Sequence, residues 1–538
     1  MGQILAAEAG VLVVTLAFRL APGLRWKVGS SDCGYHLLLR RQLRCHGMRM
    51  PPRIAALALD ERQNYPWFYH WLLAWVPEEW LLRFPSVPSA LSDGVLACLT
   101  CALAAHLAPQ LSPHAPPAIA GLLAGLFIAT SPSLLAIGIG PRAYEITARP
   151  FGEMLFALAL TCIGAALLQH HLWLGLAGVL AGALLLLSSQ FGAQVLIFCT
   201  PVLALLSTQG QTLLFPLVAV AGALVLSRGR YWWTLTAQVS YLGLYRKRLQ
   251  HEHDALVKRN AWRKLGRELV QALRSGRPRR RYYHALEVLE SSTFFQLLFR
   301  NYVWIALVLL GAGSSLAFWT EEPAGWRRWL WAWALSPLLP FLLTSLRPFL
   351  FLGEAERYLE YAIVPTSILA TGALLELPSH SAAALLLAYG LVTALVLEYQ
   401  YRRLRHRSRS DGDSPERQEL LAFLRSLPRD SVLLVIPLWL CLSLVWQLNH
   451  RFLTSMDGAV WARDWDKLFW KYPLPSRDLT WWRRQHSLQY VVVDKSSLRC
   501  LCELHKIDFQ YDFKGFAVEF ENAGYVVYRA PAAPFAAD

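Results

Sequence analysis

Charge is scarce in this sequence. Of its 538 residues only 17% are Asp, Glu, Lys or Arg, against about 25% in a typical soluble domain, while 55% are hydrophobic and 12% aromatic. A soluble globular chain is excluded, and mean hydropathy of +0.32 agrees. Acids are scarcer than bases, 37 against 52, for a formal net charge of +15. On a chain with many apolar runs that surplus fits loops beside anionic lipid headgroups, and no nucleic-acid partner is expected. The nine cysteines form no metal or disulfide framework: Cys98, Cys101, Cys162 and Cys199 lie inside apolar runs, Cys98-x-x-Cys101 lacks a second pair, and Cys500-x-Cys502 lacks the spacing of a zinc site. No Gly-x-Gly-x-x-Gly or Walker pattern occurs, so no nucleotide site is indicated. No internal repeat of the kind found in transporters is visible. No Asn-x-Ser/Thr site supports a eukaryotic lumen, which makes a bacterial inner membrane the expected location.

What is present is apolar length. Runs able to span a bilayer, at about 20 residues each, fall near 5–24, 91–108, 115–138, 151–169, 172–189, 192–207, 211–227, 301–319, 327–345, 359–375 and 382–399. The sequence therefore predicts an α-helical polytopic membrane protein of about eleven spans over residues 1–400, the first run being a retained anchor. The long first loop, 25–90, contains Tyr65-Pro-Trp-Phe-Tyr-His-Trp-Leu-Leu-Ala-Trp, whose aromatic content suits a helix in the membrane interface. A basic insert, 228–295, with Tyr245-Arg-Lys-Arg and Arg277-Pro-Arg-Arg-Arg, shows helical apolar spacing from Ala261 to Leu273. It reads as amphipathic helices on a membrane surface, or equally as a cytoplasmic connector obeying the positive-inside rule. Residues 411–538 read as a small α/β domain in water: a helix over 415–427, a strand at 431–437, a helix over 438–448 divided from it by Pro437, and strands at 489–494 and 524–529.

Three places break the apolar pattern with charge. In the first loop, Asp32 of Ser31-Asp-Cys-Gly-Tyr-His precedes an expected helix through Tyr35 to Leu43, and Asp60-Glu-Arg-Gln-Asn-Tyr-Pro follows. Asp32 suits a general base at the membrane surface, and suits a helix N-cap as well. Gly140-Pro-Arg-Ala-Tyr-Glu-Ile-Thr-Ala-Arg places Arg142, Glu145 and Arg149 in a turn between spans, either to hold phosphate and aid the acceptor or as an ordinary polar hairpin. Glu354, Glu356, Arg357, Tyr358 and Glu360 crowd the head of a membrane helix, where charge is costly and faces a cavity or a partner.

The Asp32-x-x-Tyr35-His36 signature, followed by the Tyr65-Pro66 to His70 re-entry, resembles the GT-C superfamily of polytopic glycosyltransferases. That superfamily includes protein O-mannosyltransferases, the lipid A aminoarabinose transferase and the oligosaccharyltransferase catalytic subunit. The resemblance covers about residues 1–400. It implies a sugar donor carried on a polyprenyl phosphate, an unknown lipid, glycan or protein acceptor on the non-cytoplasmic side, and membrane lipids as surroundings. It places the catalytic base at Asp32, with Asp60 and Glu61 as candidates for a second acidic role. Tyr35, His36, Arg142, Glu145, Arg149, Glu354, Glu356, Arg357 and Tyr358 become candidates for the donor and its phosphate. Ser31 and Cys33 flank Asp32 where a paired acid would hold a divalent ion, so metal-independent transfer is expected; His36, His46 and His70 leave a metal open. Counting spans puts the three charged segments on one face, against the positive-inside reading of 228–281 and 402–409. A transporter or flippase of a lipid-linked saccharide is the rival from another class, and a membrane scaffold a third.

Overall fold

The computed structural model describes residues 2–25, 31–112, 116–131, 145–252, 262–274, 278–290, 301–303, 325–410, 414–507 and 511–531, with the single residues 134 and 292. Expectations placed on Arg142 and on most of the 301–319 run lie outside the described residues. The Asp32 side chain lies outside them too, although its backbone is described.

The chain divides into two compact units. The first comprises Met1–Lys27, Glu78–Tyr231 and Asp254–Arg407; the second comprises Val28–Pro77, Trp232–His253 and Ser408–Asp538.

The first unit is a helical membrane body. Among the described residues, five helices are long and apolar enough to cross a bilayer: Gly2–Arg25, Val87–Leu111, Arg149–Gln169, Gln190–Ser207 and Ser379–Arg405. Four shorter apolar helices accompany them: Pro117–Thr130, Leu172–Leu186, Gly210–Leu226 and Ile363–Leu375. The helices turn where the sequence supplies a stop. His170 adopts a left-handed conformation after Gln169, and Ser189 caps the next rising helix by accepting from the Gly192 amide at 3.0 Å. The expected 327–345 span is two helices, Trp326–Leu335 and Leu338–Thr344, because Pro337 has no N–H to continue the ladder. The expected 359–375 span likewise begins as a separate short helix, Ala355–Glu360, before Ile363–Leu375. Between helices, small residues set the approach, as bilayer packing requires. In the Gly121-x-x-x-Gly125 pair, a Cβ on Gly121 would meet the Cys101 carbonyl at 2.8 Å, and one on Gly125 would meet Val11 at 2.7 Å. Leu387, Leu391 and Leu395 form an outward stripe along Ser379–Arg405, each at least 60% exposed, which is the surface a lipid-facing helix presents.

The second unit is an α/β body. Its strands are β1 (Val432–Ile436), β2 (Arg451–Phe452), β3 (Phe469–Lys471), β4 (Leu474–Pro475), β5 (Tyr490–Asp494), β6 (Ala517–Glu521) and β7 (Tyr525–Arg529). Five make a sheet of order β2-β1-β5-β7-β6, parallel among β2, β1 and β5 and antiparallel from β5 outward, while β3 and β4 form a separate hairpin. The β1 and β5 sequences, Val-Leu-Leu-Val-Ile and Tyr-Val-Val-Val-Asp, are buried at every position, as central strands covered on both faces must be. Pro437 does divide strand from helix, but the helix is shorter than expected, Trp439–Leu444. One sheet face packs Leu433, Val435, Val492 and Val527 against Leu420 and Leu424, and also against Leu38, Leu39, Leu43, Ile54 and Leu57 of the first loop. That loop also joins the sheet edge: the Phe452 amide donates to the Ala56 carbonyl at 2.9 Å and the Ala58 amide to the Phe452 carbonyl at 2.8 Å.

Candidate active-site residues

In the second unit, the helix Ser31–Cys45 starts a turn earlier than expected, so Asp32 lies within its first turn rather than ahead of it. The next turn is buried. A Cβ on Gly34 would overlap the Leu442 carbonyl oxygen, so only glycine lets this helix lie against Trp439–Leu444. Tyr35 and His36 are 2% and 5% exposed. The His36 Nδ1 and His70 Nε2 atoms are 2.7 Å apart with their rings stacked, and Tyr65 meets Tyr35 edge-on at 5.1 Å. One imidazole donates and the other accepts, so the accepting ring is neutral. Burial, then the neighbouring His36, hold the His70 pKa well below its ordinary range. Burial likewise pushes the Tyr35 phenol up, with Asp60 adding to the rise. Arg40, 1% exposed, donates from Nε to the Leu73 carbonyl at 3.2 Å and from Nη2 to the Val76 carbonyl, capping the helix Phe68–Ala74 at the end where its dipole favours a cation. His46 stands apart, exposed, and bonds the Gln42 carbonyl at 2.8 Å.

Asp60 is 2% exposed, and its Oδ1 accepts from the Met456 and Asp457 amides at 3.0 and 3.1 Å and from the Ser455 hydroxyl. Burial raises its pKa to about 7, the three donors opposing the rise. Asn64 reaches the Asp457 carboxylate at 2.9 Å, and Glu61 pairs with Arg463 at 2.7 Å on the surface. These bonds tie the first loop to the 455–457 turn.

In the first unit, two of the charged segments meet. Arg149, at the start of Arg149–Gln169, lies 3.9 Å from the Glu360 carboxylate at the end of Ala355–Glu360. Pro150 fixes the first turn there, where a missing N–H costs nothing. Glu145 is 2% exposed, and its carbonyl accepts from the Ser89 hydroxyl at 3.2 Å. Glu356 is also 2% exposed. Glu354 and Arg357 form an ion pair, and the Arg357 guanidinium lies 5.6 Å from the Phe191 ring. Tyr358 donates to the Leu352 carbonyl at 3.1 Å and packs on the same Phe191 at 5.0 Å. Tyr361 closes the wall against Phe156 at 5.1 Å, with its carbonyl accepting from Trp333 Nε1 at 3.1 Å. The result is an aromatic-walled patch of two arginines and buried carboxylates, able to hold phosphate and to exchange a proton.

Sequence reasoning passed over Glu153, 2% exposed and one turn beyond Arg149, and the ion pair of Arg19 with Asp93. Arg19 donates from Nε to Asp93 at 2.7 Å and from Nη1 to the Ala129 carbonyl at 3.1 Å, all of it buried. A charge inside each of two apolar runs was the available signal. Among the described residues no group of three His, Cys, Asp or Glu side chains is placed to hold a metal ion.

No family model and no curated protein matches the chain. Solved structures do. ArnT from Cupriavidus metallidurans bound to undecaprenyl phosphate aligns over 99% of this chain and 98% of its own, with TM-score 0.52 and 16% identity. The apo oligosaccharyltransferase of Archaeoglobus fulgidus aligns over 91% of this chain and 69% of its own, with TM-score 0.54 and 12% identity. The fold is the one shared with ArnT and with the archaeal oligosaccharyltransferase. The likeness to ArnT covers 99% of the chain and so reaches beyond residue 400, where the motifs stopped, into the C-terminal α/β region.

Proposed function

We propose that the protein is a membrane glycosyltransferase that moves a sugar from a polyprenyl-phosphate carrier to an acceptor at the non-cytoplasmic face. The observation that carries this reading is the GT-C fold along nearly the whole chain, shared with an enzyme whose structure holds undecaprenyl phosphate. The patch of Arg149, Arg357 and buried glutamates at the heads of membrane helices supports it. Transfer needs the acceptor O–H or N–H to lose its proton as it attacks the anomeric carbon, while the bond from that carbon to phosphate oxygen breaks and the carrier phosphate keeps the electron pair. Asp32 takes the proton. Arg357, with Arg142 or Arg149, stabilises the phosphate, bidentate contact being the strength of a guanidinium. Asp60, whose Oδ1 is occupied by three donors of its own unit, is a positioning residue, and Tyr35 and His36 hold the helix that bears Asp32.

The test is purified protein with labelled polyprenyl-phosphate sugars. Asp32→Asn is expected to lower turnover by about 10²–10⁴-fold, the usual worth of a general base. Arg357→Ala is expected to raise KM for the carrier by at least about tenfold, the loss of one charge-assisted contact. Full turnover by Asp32→Asn sinks the base assignment. Saccharide crossing liposomes with no new glycosidic bond replaces the whole reading with transport.

A further inference from the structure

The first unit carries a helical hairpin, Trp262–Arg274 followed by Pro278–Glu290. The sequence from 258 to 281 holds ten Lys or Arg against one acid, Glu268. At about 100° per residue, Leu265, Leu269 and Ala272 share one arc of the first helix, Gly266, Val270 and Leu273 the next, and Arg267 and Arg274 the one after. The first arc is used: Ala272 packs with Ala285 and Val288, and Leu265 and Leu269 lie against them. The second arc is not covered, leaving Val270 47% and Leu273 52% exposed. Arg267, Arg274 and Arg281 are exposed as well.

We propose that this hairpin docks on an anionic bilayer surface, with Val270 and Leu273 entering the headgroup boundary and Arg267, Arg274 and Arg281 against lipid phosphates. An apolar half-face bordered by arginines is the arrangement by which an amphipathic helix lies in a membrane interface. Charge complementarity selects anionic over zwitterionic lipid, and the apolar arc, which nucleic acid would leave unused, selects a bilayer over a polyanion in solution. The hairpin belongs to the same compact unit as the membrane helices, so a bilayer is always within the chain's reach. This proposal stands independently of the transferase reading.

Hydrogen exchange followed by mass spectrometry on the full chain tests it, in nanodiscs of phosphatidylcholine alone and of phosphatidylcholine with phosphatidylglycerol, without any polyprenyl phosphate. Peptides covering 262–290 are expected to exchange about tenfold more slowly in the anionic discs, with the membrane helices as internal reference. Raised salt is expected to remove the difference. Arg267→Glu/Arg274→Glu/Arg281→Glu is expected to exchange alike in both discs, and Val270→Ser/Leu273→Ser, which keeps the charge, to lose part of the protection. Equal exchange by the unaltered protein in the two discs overturns the proposal whatever the variants do. Protection that survives charge reversal overturns its electrostatic basis. Protection that appears only once polyprenyl phosphate is added assigns the hairpin to the carrier instead.

Discussion

Asp60 and Arg19 show how single buried charges are held in the two units. Asp60 ionises less readily in the folded protein, its pKa rising from 3.8 to about 7. Between those values the folded state keeps a proton that the unfolded chain has released, so this contribution to stability is complete below pH about 4 and declines as pH rises through about 7. A rise from 3.8 to about 7 corresponds to about 4 kcal/mol as an upper bound. Asp60→Asn keeps an acceptor for Ser455, Met456 and Asp457 and removes the titration; its melting temperature is expected to fall less than that of the unaltered protein between pH 5 and 8. Parallel curves contradict the assignment. Arg19, 1% exposed, and Asp93, 0% exposed, are fixed by each other and by carbonyls of the helix Pro117–Thr130. Removing one partner strands a charge, so Arg19→Met is expected to cost roughly 3–5 kcal/mol, while Arg19→Met/Asp93→Leu recovers most of it. Thermal unfolding in detergent reads both variants, and equal stability of the single and double variants argues against a stranded charge.

At the scale of elements, the helix Ser31–Cys45 is held by shape as much as by apolarity. Its Gly34 permits contact with Trp439–Leu444, and Arg41 donates to the Trp446 carbonyl at 2.5 Å. Gly34→Ala is expected to force the two helices apart and destabilise the second unit by about 2–3 kcal/mol, in the upper part of the range for overpacking; near-ultraviolet dichroism of its tryptophans reports the loss. Gly34→Ser should be worse, and a variant melting like the unaltered protein contradicts the close approach. The signature Asp32-x-x-Tyr35-His36 was legible as a motif, but its meaning divides here. Tyr35 and His36 sit in a core of aromatic rings, which no spacing rule distinguishes from a ligand pair. Arg149 and Glu360 were legible as charges at membrane helix heads; that they meet is a consequence of packing between helices about 200 residues apart in sequence.

For the whole molecule, the order of the chain and its division into units disagree. One core contains Tyr35, Leu39 and Leu57 together with Leu420, Leu433 and Val492, and a second contains Leu244 and Leu249 together with Leu434 and Ile436 of the sheet. A protease site inserted at 411–413 is therefore expected to yield a C-terminal fragment that stays bound to the rest of the chain after cleavage, co-eluting in detergent on size exclusion. A fragment that leaves freely would show that the shared cores contribute little.

The sequence by itself determined the solvent, most of the apolar helices in outline, and the strands β1, β5 and β7. Runs of apolar residues exceeding a bilayer's thickness dictate membrane helices, β-branched runs bounded by turns dictate strands, and charges interrupting an apolar run mark where a membrane protein is obliged to pair or to work. Those are local properties, and local patterns report them. Tertiary structure alone decided which charges became partners: Arg19 with Asp93, Arg149 with Glu360, Asp60 with the 455–457 turn. It alone also decided that the first loop would cover a sheet formed near the other end of the chain. Pairings of this kind depend on the sum of packing over the whole fold, and no window of sequence contains that sum.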